Sequence, residues 1–292
     1  MRSLSRHSSS LGILCMLGAG LGFAMMVAFV KAAATSVPVP QIVCIRSAVT
    51  ALTVSLLMLF QGIPFRGQNT PLLFLRALLG SIAMGLSFYS TSVIPLVDMS
   101  VIIKTSVLFT AIFAALWLQE RPTRNLLLYS LLGFIGIALI IKPTGNVLAL
   151  GGLAALGAAV VIGLIGVVIR KLQQTEHSYM IVFVYTATAT VGYGLFFGSS
   201  FTKLDHAELF YVLGAGVVGT IAQLLFTLAY KYGAASEVSP FLYSETLFAA
   251  LFGALYFQEF PDLLTVLGAM LTIISGITIA RGSREKKALE SA

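Results

Sequence analysis

Charged side chains are scarce in this chain. They make up 10% of its 292 residues, whereas hydrophobic residues make up 58%, and the mean hydropathy is +0.97. Soluble globular domains usually carry about 25% charged residues, so the composition excludes an ordinary soluble globule and indicates a polytopic membrane protein. The net charge of +7 does not indicate nucleic-acid binding, because the basic residues lie at the ends of apolar runs, where they face lipid headgroups and set orientation.

Cysteine and histidine are also rare. Cys15 and Cys44 lie inside apolar runs, and the chain has no C-x-x-C and no Cys/His cluster, so neither a disulfide framework nor a metal site is expected. The three histidines lie near or outside the ends of the apolar runs. No H-E-x-x-H, G-x-S-x-G or paired-Asp signature occurs inside those runs. We therefore expect no enzyme activity and no cofactor.

One segment of the chain is written twice. Residues 98–122 and 237–261 superimpose without a gap on a shift of 139 positions, and ten of the 25 pairs are identical. Composition bias explains repeated alanine and leucine, but it does not readily produce Gln-Glu-x-Pro at 119–122 and again at 258–261. Further matches under the same shift begin at position 17, so the repeat covers most of the chain.

The apolar runs predict an all-α protein with ten transmembrane helices. A spanning helix needs about 20 mostly apolar residues, and ten runs approach this length: about 11–30, 40–60, 71–92, 96–118, 125–141, 147–169, 179–200, 207–230, 235–257 and 263–280. The first run resembles a signal peptide, but it is longer than the usual apolar region of about 7–15 residues. It also has a repeat partner in the sixth run, so we expect it to be retained.

The distribution of Lys and Arg predicts the orientation. With the N-terminus inside, the inner segments hold 12 of these residues and the outer ones hold 3, namely Lys31, Lys142 and Lys203. The positive-inside rule therefore places both termini in the cytoplasm, in a multi-pass inner (plasma) membrane protein. We divide the chain into five-helix repeats at 1–142 and 143–292, the second ending in a short basic tail. Because five is odd, the two repeats must be inverted relative to each other.

Inverted repeats are typical of transporters that work by alternating access, and ionisable residues inside spans are candidates for function. Lys104 lies about eight residues, or ~12 Å, from the outer end of the fourth span, and Glu245 lies about ten residues, or ~15 Å, from the inner end of the ninth. The 139-residue shift aligns Lys104 with Tyr243 and Ser106 with Glu245, so the two charges are expected to face each other. Two interpretations stay open: a structural ion pair, or a substrate site.

In the substrate interpretation, Lys104 and Arg46 attract a carboxylate or phosphate, while Glu245 receives an ammonium group or a proton. Arg46 has the alternative of snorkelling to the headgroups, and snorkelling is the expectation for Arg76. Asp98 and Glu237 are expected chiefly to complement helix dipoles at helix starts. The remaining candidates for lining a substrate site, each of which is equally compatible with packing, are Tyr89, Ser106, Tyr185, Gln223 and Tyr243.

Several short stretches of the two halves form a recognisable pattern: Phe88-Tyr89, Pro95-Leu96-Val97-Asp98, Pro240-Phe241-Leu242-Tyr243, Gln258-Glu259-Phe260-Pro261-Asp262, Leu267-Gly268, Arg46, and Arg76 before Gly80. Through these residues the chain resembles the EamA-domain branch of the drug/metabolite transporter superfamily. The resemblance implies a ten-helix bundle whose central cavity is lined mainly by spans 1, 3, 4, 6, 8 and 9, exporting or exchanging small metabolites. The chain departs from the family pattern at Val107, Lys104 and Glu245. We expect these departures to contribute to its substrate specificity.

We therefore predict a secondary transporter for a small charged or zwitterionic metabolite, such as an amino acid, an organic acid or a nucleoside-containing compound. Its expected partners are the lipid bilayer and a small-molecule substrate. Coupling to protons or to a counter-substrate stays open, as does the choice between a monomer and a homodimer. One alternative is efflux of lipophilic cations with Glu245 as counter-charge, although Lys104 would repel them. A passive channel or lipid scramblase is the alternative from a different class.

Overall fold

The structure is a computed structural model. It describes residues 2–106, 147–172, 174–232 and 244–271, together with the separate positions 109, 112–113, 128–129, 131–133, 135–136, 139, 241, 273–275 and 278. Within these residues the secondary structure is helical and contains no strand. The fifth predicted span, 125–141, falls largely outside the described residues.

The described residues form eight α-helices, numbered in chain order: α1 Arg2–Ala33, α2 Val39–Phe60, α3 Thr70–Val93, α4 Leu96–Lys104, α5 Val147–Leu172, α6 Ser178–Phe197, α7 His206–Tyr232 and α8 Ser244–Phe257. A 3₁₀ turn, Gly198–Ser200, follows α6. Helices α1 to α4 correspond to the first four predicted spans, and α5 to α8 correspond to spans six to nine. A further short apolar helix, Leu263–Ser275, lies at the position of the tenth span.

The helices begin where the sequence has proline or a capping side chain. Pro38 and Pro95 occupy the N-cap positions of α2 and α4, and proline is tolerated at a helix start because the first N–H groups have no partner within the helix. At α3 the side chain of Asn69 accepts a hydrogen bond from Leu72 N, which satisfies one of these free N–H groups. The breakers in the sequence therefore mark the boundaries of the helices.

In the part of the chain that the structure describes, six helices are long and apolar enough to cross a membrane. Large apolar side chains such as Leu59, Leu195 and Phe196 are exposed on the outer surface of the bundle, where a bilayer would solvate them. The prediction of an all-α polytopic membrane protein is confirmed.

Helices of the two repeats pack against each other reciprocally. The 139-residue shift aligns α1 with α5, α2 with α6 and α3 with α7. In the structure α1 packs on α7 and α3 packs on α5, which is the same contact after the repeats are exchanged, whereas α2 packs on its own equivalent α6. Helix α4 also packs on α8. Small residues permit the close contact: a Cβ added at Gly22 of α1 would lie 2.8 Å from Cβ of Ala222 in α7. This reciprocity indicates an approximate two-fold relation between the repeats.

The repeats run in opposite directions through the bundle. Lys31 at the end of α1 lies at one end, where the side-chain amide of Gln41 also donates to Thr202 O at 2.8 Å; we call this the Lys31 end. At the other end Glu176, which follows α5, accepts a hydrogen bond of 2.6 Å from Gln68 N ahead of α3. The equivalent helices α1 and α5 therefore finish at opposite ends.

Candidate functional site

A buried ion pair joins the two repeats. Lys104 is the last residue of α4, and its Nζ donates to Oε2 of Glu245, in the first turn of α8. Each residue is only 7% exposed. One turn before Lys104, the hydroxyl of Ser100 donates to Oγ1 of Thr246 at 2.9 Å. The structure thus brings together the two charges that the repeat register placed at near-equivalent positions.

The helical hydrogen-bond pattern is irregular next to this pair. Thr105 adopts a turn, and its hydroxyl donates to Ile102 O at 2.6 Å. Ser106 is helical again, and Phe109 N donates to Thr105 O at 3.3 Å. A threonine hydroxyl that bonds to the backbone competes with the helical hydrogen-bond ladder. The hydrogen bonding of the fourth span is therefore irregular directly after Lys104, although the backbone of Thr105 keeps αR dihedral angles.

Helix α1 covers the start of α8 because position 20 lacks a side chain. A Cβ added at Gly20 would lie 3.2 Å from Glu245 N. The absence of a Cβ at Gly20 therefore lets the α1 backbone approach the first turn of α8 closely. The first turn of α8, which carries Glu245, therefore packs against α1 of the other repeat.

A second buried polar group consists of Arg46, Arg76 and Tyr185, which we call the arginine–tyrosine cluster. Nη1 of Arg46 in α2 donates to the hydroxyl of Tyr185 in α6 at 3.3 Å. The guanidinium carbon of Arg76 in α3 lies 4.4 Å from the centroid of the same ring, which is cation–π geometry. Arg46 is 3% exposed and Arg76 is 7% exposed. One guanidinium therefore contacts the hydroxyl of Tyr185, and the other lies over its ring.

The cluster has no negative counter-charge among the described residues. Neither guanidinium has a carboxylate of that part of the chain within 4.0 Å. Arg46 otherwise contacts the sulfur atoms of Met26 and Met84, at 3.7 and 3.8 Å, and a thioether is a weak acceptor. Nε of Arg46 and both Nε and Nη1 of Arg76 are buried without a hydrogen-bond partner in the described structure.

The expectation that Arg76 snorkels to the headgroups is wrong, and Arg46 likewise extends into the bundle rather than toward lipid. The reason for Arg76 lies one helical turn further along α3. A Cβ added at Gly80 would lie 3.4 Å from the guanidinium carbon of Arg76. The missing side chain leaves room for Arg76 to fold along its own helix onto Tyr185. The spacing Arg-x-x-x-Gly was the sequence signal for this arrangement.

The other candidates are distributed differently. Tyr89 is 40% exposed, so the structure does not bury it with the arginines. Ser106 and Gln223 are partly buried. Asp98 lies in the first turn of α4, as expected of a helix-start carboxylate. Tyr243 and Glu237 lie outside the described residues.

Sequence reasoning missed one further ion pair. Lys31 Nζ pairs with Oε1 of Glu259 and donates to Ile94 O at 2.8 Å. The other carboxylate oxygen of Glu259 accepts a hydrogen bond of 3.0 Å from Leu96 N. The Lys31–Glu259 bridge therefore ties together the end of α1, the turn between α3 and α4, and the segment after α8. The repeated Gln-Glu-x-Pro was the signal that this glutamate has a structural partner.

Comparisons with known proteins identify relatives over nearly the whole chain. The model of the EamA-like transporter family matches residues 10–142 and again residues 149–281. The chain is 33% identical over 279 residues to the pseudopaline exporter CntI of Pseudomonas aeruginosa, which covers 92% of this chain and 96% of that protein. It is 26% identical over 292 residues to the riboflavin transporter of Vibrio cholerae, with 98% of each protein covered.

Two further proteins are similar to this chain. The S-adenosylmethionine uptake transporter of Rickettsia bellii is 26% identical over 244 residues, covering 80% of this chain and 82% of that protein. A protein of known crystal structure aligns with a TM-score of 0.64 at 16% identity, covering 94% of this chain and 97% of that chain. At this identity the structural similarity shows the fold alone.

Proposed function

Because the chain belongs to the EamA-like transporter family, we propose that it is a secondary transporter that carries a small charged or zwitterionic metabolite across the plasma membrane by alternating access. Membership makes the chain a multi-pass membrane transporter of small molecules and not an enzyme. The charge class of the cargo and the mechanism are the proposal.

The observation that carries the proposal is the Lys104–Glu245 pair, buried between α4 and α8. Insertion scales assign at least about 2.5 kcal/mol to a single charge at a helix centre, so charged residues there call for a functional reason. A zwitterion supplies both counter-charges at once: its carboxylate replaces Glu245 at Lys104, and its ammonium replaces Lys104 at Glu245. Substrate binding would then exchange one ion pair for two, without leaving either charge buried alone.

The packing of the repeats supports alternating access. Among the described helices, the α2–α6 interface maps onto itself when the repeats are exchanged, and the α1–α7 interface maps onto the α3–α5 interface. Equivalent helices run in opposite directions, so exchanging the conformations of the halves converts an opening at one end into an opening at the other. The Lys104–Glu245 pair joins the fourth and ninth spans, which the 139-residue shift aligns with each other. We therefore expect the site to keep its place between the repeats during such an exchange.

The relatives support a small organic cargo without naming it. Their names refer to pseudopaline, riboflavin and S-adenosylmethionine, which are three different molecules. We therefore infer from the relatives only that the cargo is a small organic solute. The proposed charge of the cargo is inferred from Lys104 and Glu245.

The test is a thermal-shift screen of the purified protein against a metabolite library, since a ligand that binds the folded state raises its apparent stability. Compounds that stabilise the protein are then labelled and measured for counterflow in proteoliposomes, with and without a pH gradient. Lys104→Ala and Glu245→Ala should each reduce saturable flux. Lys203→Ala, which removes an exposed lysine, is the matched control.

Three outcomes contradict the proposal. If Lys104→Ala and Glu245→Ala both leave the saturable flux unchanged, these two residues take no part in the mechanism. Flux that neither saturates nor shows counterflow indicates a channel or scramblase. Preferential transport of lipophilic cations, with Lys104→Ala improving it, indicates the efflux alternative.

A further inference from the structure

We propose that the arginine–tyrosine cluster is an anion subsite that holds a doubly negative group of the cargo, either paired carboxylates or a phosphate. The inference rests on the proposed transport function, because it assumes that the cluster is reached from the transport pathway. It extends that function by assigning a net negative charge to the transported molecule.

The first argument is the balance of charge inside the bundle. Lys104 is neutralised by Glu245, and Lys31 by Glu259. Arg46 and Arg76 are as deeply buried as Lys104, yet no carboxylate of the described chain lies within ion-pair distance of either. Buried charges are normally paired. Two positive charges without a partner predict that a ligand brings two negative ones.

The second argument is the supply of hydrogen-bond donors. The partnerless groups are Nε of Arg46 and Nε and Nη1 of Arg76. A guanidinium presents its N–H groups as a fixed planar fork that matches carboxylate and phosphate oxygens. The hydroxyl of Tyr185 accepts from Arg46, which leaves its own hydrogen free to point to an anion. The cluster therefore offers several donors and little acceptor capacity.

The third argument is the position of the two arginines. Arg46 lies seven residues after the start of α2 at Val39, or ~10 Å along the helix, and Arg76 lies six residues after the start of α3 at Thr70, or ~9 Å. These neighbouring helices are antiparallel, so the side chains approach Tyr185 from opposite ends of the bundle. The two guanidinium groups therefore meet in the interior of the bundle, away from both membrane surfaces. Headgroup phosphates do not reach this position.

Glycine lies beside the partnerless donors of both arginines. A Cβ added at Gly219 of α7 would lie 3.3 Å from Nε of Arg46, and one at Gly80 would lie 3.4 Å from the guanidinium carbon of Arg76. No side chain at these two positions covers the donors. The positive cluster would also repel a lipophilic cation, which weighs against the efflux alternative.

The test measures binding with probes that differ in charge but little in size. Succinate and inorganic phosphate should raise the melting temperature of the purified full-length protein saturably, whereas succinamide and 1,4-diaminobutane should not. Arg46→Gln and Arg76→Gln should each weaken the anion response about tenfold or more, as expected for the loss of a charge-assisted hydrogen bond. The exposed Arg66→Gln is the matched control for general salt effects and should respond as the wild type does.

Arg46→Lys and Arg76→Lys keep the charge without the fork, so they should retain a partial anion response and guard against misfolding of the glutamine variants. Equal responses to succinate in the wild type and in both glutamine variants would overturn the proposal. So would a cargo that is neutral or cationic. If Arg46→Gln and Arg76→Gln leave counterflow unchanged while Lys104→Ala abolishes it, the anion subsite is contradicted but the transport proposal stands. If the wild type shows no saturable counterflow, the transport proposal itself is contradicted.

A separate observation concerns the Lys31 end of the bundle, where we infer that the Lys31–Glu259 bridge is a latch that holds this end closed. Glu259 follows Gln258, whose φ is +54°, a left-handed conformation uncommon for a residue other than glycine. Glu259 N in turn donates to Gly253 O at 2.9 Å. The chain thus turns back sharply after α8 and directs the carboxylate onto Lys31 and Leu96 N.

The sequence repeats the charges of this bridge. The 139-residue shift places Arg170 at the position of Lys31 and Glu120 at the position of Glu259. A cation and an anion thus recur in both halves at equivalent positions. This is the pattern expected of a contact that alternates between the two ends of an inverted repeat.

The latch is tested by the reactivity of a buried reporter. Ser100→Cys, at a position that is fully buried, is introduced after Cys15 and Cys44 have been replaced by alanine. A membrane-impermeant maleimide is then added to right-side-out and to inverted vesicles. Glu259→Gln and Lys31→Gln should each raise the labelling rate several-fold from one side only. The reversed pair Lys31→Glu with Glu259→Lys should lower it again in part.

Glu208→Gln serves as the matched control, because Glu208 lies near the same end but bonds locally to Asp205 N. Its labelling rate should equal that of the parent protein. Unchanged labelling in both latch variants would overturn the inference, and so would an equal rise from both sides, which indicates general loosening.

Discussion

Lys104 of α4 donates to Glu245 of α8 within the bundle, and each is the charge nearest the other across the interface between the repeats. Removing one partner leaves a buried charge uncompensated, which destabilises proteins by about 3–5 kcal/mol, whereas replacing both partners by apolar residues is often neutral or stabilising. Lys104→Met should therefore lower the melting temperature clearly, and the double variant Lys104→Met with Glu245→Met should recover most of it.

Both variants should lose transport, because neither retains the charges proposed to bind the cargo. The measurements are thermal unfolding in detergent and counterflow in proteoliposomes. Equal destabilisation of the single and double variants would show that the pair is not the stabilising element.

Removing one arginine of the arginine–tyrosine cluster should change the melting temperature less than removing Lys104. Because Arg46 and Arg76 lack a counter-charge in the described structure, their removal leaves no carboxylate unpaired. Arg76→Gln loses a cation–π contact worth about 0.5–2 kcal/mol but also a buried charge. We expect its melting temperature without ligand to change less than that of Lys104→Met. A drop as large as that of Lys104→Met would indicate an acidic partner for the arginine.

Gly80→Ala tests the space beside Arg76. The added Cβ would overlap Nη1 of Arg76, so the side chain of Arg76 must move from its position over the ring of Tyr185. We expect the response to succinate to weaken while the fold persists. Gly192→Ala is the matched control, because a Cβ at Gly192 has no atom within 4 Å; similar binding by the two variants would contradict the argument.

Gly20→Val tests the contact between α1 and the start of α8. Its Cβ would lie 3.2 Å from Glu245 N, and overpacking of this kind costs about 1–3 kcal/mol. We expect a lower melting temperature and reduced counterflow, because α1 is displaced from the proposed site. Gly192→Val, at the open position in α6, should change neither quantity, and an equal effect there would attribute the loss to the helix rather than to the contact.

Local features of the sequence predicted the helices well. Proline at 38 and 95 and the Asn69 cap determine where α2, α4 and α3 begin, because these groups act within one helical turn. The repeat register also predicted that Lys104 and Glu245 face each other, since a fixed shift relates positions on equivalent helices. Family membership followed from the same repeat and its motifs, and it is confirmed.

Three features of the site could not be read in this way. Arg76 was expected at the headgroups, but it lies over Tyr185 because Gly80 leaves it room. Lys31 was counted only as a charge outside the membrane, although it pairs with Glu259, which is 228 residues away in the sequence. The turn at Thr105 depends on a hydroxyl that bonds to Ile102 O instead of remaining free.

What the sequence determined by itself was the class of molecule: a bundle of apolar helices in two related halves, because a bilayer admits few alternatives for such a composition and period. The tertiary structure decided which charges meet. The direction of a long side chain depends on the space that neighbouring helices leave, and that space exists only after the two repeats have packed against each other.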